Sequence, residues 1–302
     1  MGFHFKFGVM TDVGKIRALN EDNFYVAEDM GLFMVADGLG GQKAGEVASR
    51  MAIETIKRYM NNKENPLTGK YHKEFSQDTN RILSGIRLAN SEIYKAGQRD
   101  SEHQGMGTTI SSVLINRNVM TLAHVGDSRI YRIRGGHLEQ LTKDHSVVQE
   151  QLKRGIITKE EAEKSNYRSI ITRALGAKET IRIDADEEVL LDHDRILICT
   201  DGLTDMVRED DIVRIILNNE DDPQKACKEL IDKAKGGGGM DNITVILLYC
   251  EKDEQKVGFL ERVFLPIISG LRKASSEIQG FMSREKGDAP SRPERAKREG
   301  NM

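Results

Sequence analysis

The stretch from residue 108 to residue 142 constrains the fold more than any other part of the chain. It consists of short apolar runs of strand length, with a turn at residues 116–118 and a Gly135-Gly136 pair between two of the runs. A Gly-Gly pair between alternating runs is a strong signal for a β-hairpin. Because strands joined by hairpins pair antiparallel, this pattern excludes a doubly wound parallel sheet.

Two long helical patterns precede these hairpins, at residues 46–60 and 79–97. In the second pattern, apolar side chains recur at helical spacing from Ile82 through Ile86 to Ile93. Helices that cover antiparallel sheets form a layered α+β domain. We therefore expect residues 1–250 to fold as one α+β unit.

Residues 144–177 interrupt the strand pattern with a polar segment. The spacing of Thr158 and Glu161 in it predicts a capping box at the start of a short helix. A mobile flap over a site and a neutral insertion fit this composition equally well, so both interpretations stay open.

Residues 251–302 differ in composition from the preceding chain and are interpreted as a C-terminal extension. Apolar residues recur at helical spacing over residues 258–273, where Pro266 kinks the helix or starts a new one. This amphipathic segment could pack on its own domain, contact a partner or lie on a membrane surface. From residue 283 onward there is no apolar periodicity, and we expect disorder.

Charge and cysteine usage exclude several classes of protein. The chain has 45 Lys and Arg against 48 Asp and Glu, a formal net charge of −3, which argues against a nucleic-acid partner. Cys199, Cys227 and Cys250 show no CxxC spacing, so neither a disulfide framework nor a zinc site is expected. With no signal-peptide pattern and no long apolar window, we expect a cytoplasmic protein.

Aspartates stand where the most apolar runs of the chain meet turns. Asp37, Asp127 and Asp201 each follow such a run, and Asp241 precedes another. Any one of them alone reads as an ordinary turn residue. If the strands are neighbours, however, the carboxylates converge, and converged anions need cations. Oxygen ligands without His or Cys select Mg²⁺ or Mn²⁺, and two such ions about 4 Å apart suit attack on a phosphoryl group.

Seven spaced motifs occur in order along the chain. They are RxxNED at 17–22, VADGLGG at 35–41, MGTT at 106–109, VGDSRIY at 125–131, TRALG at 172–176, CTDGLTD at 199–205 and DNIT at 241–244. Together they resemble the metal-dependent protein phosphatase family (PPM, or type 2C serine/threonine phosphatases) in its compact bacterial form, over roughly residues 5–250. The resemblance implies an α+β fold of two stacked antiparallel β-sheets flanked by helices (α-β-β-α layers), with a two-metal site at one end of the sheets.

The resemblance implies a role for each residue around the first metal ion. Asp37 matches the carboxylate that bridges both ions, and the Gly38 carbonyl completes the shell of one of them. Glu21 and Asp22 match residues that hold the waters of that ion.

The resemblance also assigns the remaining site residues. Asp201 and Asp241 match the ligands of the other ion, while Asp127 and Asp205 match a pair that binds a third, weaker ion in many members. Arg17 matches the arginine that grips the substrate phosphate, a task suited to a guanidinium fork.

The implied reaction is hydrolysis of phosphoserine and phosphothreonine by a hydroxide between two Mn²⁺ or Mg²⁺ ions, with Arg17 neutralising the phosphoryl oxygens. Leu39 stands where eukaryotic relatives carry a histidine, so the acid that protonates the leaving group stays open. The implied partners are phosphorylated proteins and a cognate serine/threonine kinase pathway. A dedicated regulatory phosphoprotein, a small phosphate ester or a non-catalytic phospho-recognition role are the alternatives.

Overall fold

The computed structural model describes residues 3–40, 44–163, 165, 167 and 169–252 of the 302-residue chain. Within this part, the strands form two five-stranded antiparallel sheets and one two-stranded sheet. Strands and helices are numbered separately, in chain order.

The first sheet has the strand order β1-β12-β11-β8-β9. Its longest strands are the first and last of the described chain, which pair along their whole lengths. The five strands are β1 (Phe3–Asp12), β8 (Arg129–Arg134), β9 (His137–Gln140), β11 (Arg195–Cys199) and β12 (Ile243–Lys252).

The second sheet has the strand order β10-β7-β6-β3-β2. Its strands are β2 (Asn23–Ala27), β3 (Leu32–Ala36), β6 (Ile110–Asn116), β7 (Val119–Val125) and β10 (Asp184–Val189). Two shorter strands, β4 (Gly38–Leu39) and β5 (Gly107–Thr108), form the small third sheet beside it.

Both predicted hairpins are confirmed. Gly135 and Gly136 both have positive φ, 56° and 80°, and join β8 to β9 with the two-residue turn that such a pair favours. The turn at residues 116–118 joins β6 to β7, with Arg117 in the left-handed region at φ 57°.

The helices form the outer layers. Both predicted long helices are confirmed as α1 and α2, and the predicted capping box holds the segment before α4 through reciprocal bonds between Thr158 and Glu161. The helices that follow Asp201 were not predicted from the sequence. The helices are α1 (Ala44–Asn61), α2 (Gln77–Arg99), α3 (Val147–Lys153), α4 (Lys159–Glu163), α5 (Asp201–Thr204), α6 (Glu209–Asn218) and α7 (Pro223–Gly236).

The core has three apolar layers, and the central strands are buried on both faces. In β3, Phe33 and Val35 pack between the two sheets, whereas Leu32 and Met34 pack toward α1 and α2. In the other sheet, the opposite face of β12 packs toward α5, α6 and α7. Burial on both faces explains why these strands read as continuous apolar runs. The predicted α-β-β-α layering is confirmed.

Candidate functional site

The aspartates singled out in the sequence leave their strands at matching ends. Cys199, near the end of β11, pairs with Val245, near the start of β12, so Asp201 and Asp241 lie at the same end of the first sheet. In the second sheet, the end of β3 and the end of β7 both lie beside the start of β6. Asp37 and Asp127 follow those two ends.

Asp37 is held through its backbone by two threonines of the MGTT motif. The Thr109 N–H donates to the Asp37 carbonyl at 2.9 Å, and the Thr109 hydroxyl accepts from the Asp37 N–H at 2.9 Å. The Thr108 hydroxyl donates to the same carbonyl at 2.8 Å. These bonds fix the position from which the carboxylate projects.

The Asp37 carboxyl faces other carboxyls. Burial, followed by the charges of Asp201, Asp22 and Asp127, raises its pKa well above the ordinary range. Burial also raises the pKa of Asp201 to about 6, with Asp205 and Asp241 adding to the effect. The fold therefore brings together carboxylates that the resemblance assigned to the metal site.

Asp22 is buried beside the end of β11 and the start of β12. Its Oδ2 accepts from the Thr200 hydroxyl at 2.9 Å and from the Thr244 hydroxyl at 2.7 Å. Burial raises the pKa of this carboxyl to about 7 despite both hydrogen bonds. Asp22 thus connects the two segments that carry Asp201 and Asp241.

Asn242 attaches the loop before β2 to the segment before β12. Its Oδ1 accepts from the Glu21 N–H at 2.8 Å, and its Nδ2 donates to the carbonyls of Val13 and Leu19 at 3.0 and 2.9 Å. This arrangement places the residues of the RxxNED motif beside Asp241.

Arg17 lies at the rim of this group. Its Nη2 donates to Asp241 Oδ2 at 2.7 Å, and both side chains are partly exposed, at 50% and 36%. An ion pair this exposed contributes little to stability. The position of Arg17 is therefore explained better by a role in binding than by a role in folding.

Asp127 and Asp205, the residues matched to a third ion, both lie beside Asp201. Burial, and then the charges of Asp201 and Asp144, raise the pKa of Asp127 to about 8. The Asp205 N–H donates to the Asp201 carbonyl at 2.8 Å, and its charge acts on the Asp201 carboxyl.

Buried oxygens without partners test whether this group suits a metal ion. Glu21 Oε1, Asp22 Oδ1 and Asp201 Oδ1 are buried and accept no hydrogen bond. Such atoms carry a desolvation cost that a hard divalent cation would offset. Among the described residues, no three His, Cys, Asp or Glu side chains already converge on one point. The unpartnered carboxylate oxygens therefore fit Mn²⁺ or Mg²⁺ in their chemistry.

The backbone at Gly38 is closely surrounded. A Cβ on this residue would lie 2.2 Å from the Gly45 carbonyl oxygen and 2.6 Å from that of Glu21. Only glycine therefore fits here, and the first turn of α1 can pack directly against the segment after Asp37.

The hydroxyl and amide groups that position the acidic residues, through their backbone or their carboxylates, were not predicted from the sequence. They are Thr108, Thr109, Thr200, Asn242 and Thr244. All five stand inside the quoted motifs, so the available signal was a polar residue at a fixed offset from each aspartate.

We expect Thr244→Val to lower the free energy of unfolding by about 2 kcal/mol, because it removes a hydrogen bond to the buried Asp22 carboxylate. Urea unfolding at fixed Mn²⁺ measures this. Thr121→Val is the matched control, because the hydroxyl of the equally buried Thr121 contacts the neutral hydroxyl of Thr79 at 2.7 Å. An equal loss in both variants would contradict the role given to Asp22.

The family model "Protein phosphatase 2C" matches residues 10–243. The chain belongs to the protein phosphatase 2C family. The match includes Arg17 and the acidic residues of the site. These acidic residues, called the carboxylate cluster below, are Glu21, Asp22, Asp37, Asp127, Asp201, Asp205 and Asp241. The match confirms the resemblance drawn from the spaced motifs. It also confirms that the chain is a metal-dependent serine/threonine protein phosphatase by family.

Similar bacterial proteins cover nearly the same part of the chain. A "Putative protein phosphatase 2C-type" of Streptococcus pyogenes is 36% identical over 252 residues, which are 82% of this chain and 99% of the relative. The "Serine/threonine phosphatase stp" of Listeria monocytogenes is 36% identical over 82% of this chain and 96% of its own length.

Solved structures confirm the fold and the type of cofactor. The Mycobacterium tuberculosis phosphatase PstP/Ppp has a TM-score of 0.73 at 33% identity, over 82% of this chain and 99% of the other. The catalytic domain of a phosphatase PstP, solved with two manganese ions, has a TM-score of 0.71 at 32% identity, over 83% of this chain and 100% of the other. The predicted dependence of the family on Mn²⁺ or Mg²⁺ agrees with the second structure.

Proposed function

We propose that this protein phosphatase 2C removes phosphate from phosphoserine and phosphothreonine in proteins and opposes a serine/threonine kinase of the same cell. The observation that carries the proposal is the set of unpartnered buried oxygens on Glu21, Asp22 and Asp201 around Asp37. Relatives named as serine/threonine phosphatases support the substrate class.

We propose that the ions are held by the residues that match the family motifs, and the closeness of several of these carboxyls in the structure supports this. Asp37, the Gly38 carbonyl, Asp201 and Asp241 would hold the ions directly, and Glu21 and Asp22 would orient water beside them. Asp127 and Asp205, which both lie beside Asp201, would hold a third ion. When bound, divalent ions neutralise the phosphoryl oxygens and lower the pKa of water at the site.

The chain's own residues orient the ester and keep the site rigid. Arg17 offers a planar fork of donors at the rim, which suits the oxygens of a phosphate. Threonine hydroxyls bond the backbone of Asp37 and the carboxylate of Asp22, so both residues are positioned before the reaction. Burial raises the pKa of Cys199 to about 12, so this thiol does not act as a thiolate nucleophile at neutral pH.

The test of the function is release of phosphate from a phosphothreonine peptide with Mn²⁺ and with a chelator. The matched control is the same peptide with phosphotyrosine in that position. We expect release that requires the metal ion and is selective for phosphothreonine. A rate that does not respond to Mn²⁺, or that favours phosphotyrosine, would overturn the proposal.

Arg17→Lys tests the proposed grip on phosphate. We expect kcat/KM to fall by about 10- to 100-fold, mostly through KM, because an ammonium group cannot form two parallel bonds to the phosphate. The melting temperature should stay unchanged, because the Arg17–Asp241 pair is exposed. A large loss of stability with unchanged KM would assign Arg17 a structural role instead.

The cellular location and the C-terminal extension belong to the same proposal. Among the described residues, no helix is long and apolar enough to cross a membrane. The buried free thiols of Cys199, Cys227 and Cys250 support a cytoplasmic location.

The extension predicted at 251–302, with its amphipathic segment 258–273, lies outside the described residues from residue 253 on.

Deleting residues 256–302 tests the membrane interpretation of the amphipathic segment. Co-sedimentation with vesicles that contain anionic lipid should fall on deletion, because the basic and apolar side chains of residues 258–273 are removed. Unchanged partitioning would remove this interpretation and leave contact with the domain or with a partner.

A further inference from the structure

One cavity of the described residues lies apart from the carboxylate cluster. It has a volume of about 620 Å³ and is formed by α2, β7, β10, the segments before α2 and β10, and residues 141–143 after β9. None of the residues assigned to the metal ions or to the substrate phosphate lines it. Its volume falls in the range of small-molecule sites, about 300–1,000 Å³.

The cavity is lined by cations that have no carboxylate partner. Lys70, Arg87 and Lys143 line it, and within the described part of the chain none of the three has an ion pair within 4.0 Å. A fourth cation, Arg182, has its Nε 3.4 Å from an oxygen of Asp184. Arg87 also donates from Nη1 to the Thr68 carbonyl at 2.7 Å, and the charge of Lys70 acts on Glu74. The remaining N–H groups of the three cations are donors that suit an anion.

The carboxylates that line the cavity are largely engaged. Glu74 Oε1 lies 3.0 Å from His72 Nδ1, and Asp184 Oδ1 accepts from Arg173 Nη1 at 2.8 Å. The third, Asp186, accepts from the N–H of the next residue in the chain. The lining has four cations (Lys70, Arg87, Lys143 and Arg182) against three carboxylates, a net charge of 4 − 3 = +1 with His counted neutral.

The remaining wall is apolar and partly aromatic. Phe75, Leu122 and Ile183 line it, and the rings of His72 and Phe75 lie 5.8 Å apart at 36°. An anion with a flat organic body would use both kinds of surface, whereas a bare inorganic ion would use only the cations.

We propose that this cavity binds an organic phosphate of the size of a mononucleotide and that its occupancy alters the phosphatase reaction. Lys70, Arg87 and Lys143 would take the phosphate group, and the apolar wall would take the ring. Because the cavity is separate from the carboxylate cluster, its occupant acts on the reaction indirectly, through side chains and backbone that connect the two.

The first part of that connection runs through Asp184. This residue lines the cavity, bonds Arg173 at 2.8 Å and has its Oδ2 3.3 Å from His145 Nε2. Arg173 and His145 stand at the two ends of the polar segment 144–177, and Thr172 N–H donates to the His145 carbonyl at 2.6 Å. The wall of the cavity therefore contacts both ends of the predicted flap.

The second part runs through a pair of histidines. His124 lines the cavity and stacks on His145, with ring centroids 4.7 Å apart and an angle of 16° between the planes. His145 exchanges two bonds with Gly126: its N–H donates to the Gly126 carbonyl at 2.9 Å, and its Nδ1 accepts from the Gly126 N–H at 3.1 Å. Gly126 directly precedes Asp127, so contiguous contacts link the cavity to the carboxylate cluster.

The test is calorimetric titration of the full-length, Mn²⁺-loaded protein with AMP and, in separate titrations, with inorganic phosphate and with adenosine. We expect saturable binding of AMP, with a higher affinity than that of inorganic phosphate or adenosine. In the double variant Lys70→Glu/Lys143→Glu, AMP binding should weaken by at least about tenfold, because two cations at the site become anions.

The matched control is Lys225→Glu/Lys228→Glu, which makes the same change of charge on exposed residues of α7. This control should bind AMP like the wild type. Equal binding by all three proteins would place AMP outside this cavity and overturn the proposal. Absence of saturable binding, or equal affinity for AMP and inorganic phosphate, would overturn it as well.

The effect on the reaction has its own readout. At saturating AMP, kcat or KM for a phosphothreonine peptide should change in the wild type and in the α7 control, but not in Lys70→Glu/Lys143→Glu. Binding without any change in these constants would overturn the proposed connection to the flap. Because binding is measured directly, these results do not depend on the identity of the protein substrate.

Discussion

Asp37→Asn should reduce phosphatase activity by at least about 1,000-fold, since several kcal/mol of transition-state stabilisation depend on the ions that this carboxylate would bridge. The substitution keeps the size of the side chain and the backbone bonds to Thr108 and Thr109. Initial rates on a phosphothreonine peptide and on p-nitrophenyl phosphate, both at saturating Mn²⁺, measure the loss. We expect it for both substrates, because the ions act on the phosphoryl group that the two esters share.

The same substitution should not destabilise the protein in the presence of a chelator. Burial, followed by the charges of Asp201, Asp22 and Asp127, raises the pKa of Asp37, so an ionised carboxyl is unfavourable at this position when no metal ion is bound. An uncharged amide avoids this cost, and the melting temperature should stay constant or rise. Asp232→Asn, on an exposed position of α7, is the control for removal of a carboxylate as such. Activity near the wild-type rate in Asp37→Asn would remove this residue from the metal site.

The stability of the chelated protein should fall as the pH rises from 5.5 to 8. Burial is the main cause of the raised pKa values of Asp201, Asp22 and Asp127, which lie at about 6, 7 and 8, against an ordinary value of 3.8. Between pH 3.8 and these values, the folded protein binds more protons than the unfolded chain. Stability therefore decreases with pH through this window, because folding requires ionised carboxylates to be buried together.

Differential scanning fluorimetry with and without Mn²⁺ checks this expectation. With a chelator, we expect the melting temperature at pH 8 to lie roughly 5–10 °C below that at pH 5.5. With saturating Mn²⁺ the difference should shrink or reverse, because ions bind the deprotonated carboxylates and stabilise the folded state. A chelated protein that is most stable at pH 8 would contradict the placement of these carboxylates.

Local patterns in the sequence predicted much of the fold because their causes are local. The Gly135-Gly136 turn needs positive φ at both residues, and both have it. The periodicity behind α1 and α2 reflects one buried face on each helix. The polar strand β10 (Asp184–Val189) gave no such signal, since it lies at a sheet edge where pairing with β7 determines its conformation.

The sequence by itself determined which residue types stand at the ends of the buried strands, and with them the family and the oxygen-only chemistry of the site. Only the tertiary structure decided the partners: Thr200 and Thr244 on Asp22, Arg17 on Asp241, and His124 stacked on His145. These contacts join residues that are distant along the chain and depend on how two sheets stack and where their edges meet. Spacing in a sequence records the local conformation of each segment, whereas such contacts depend on packing between segments.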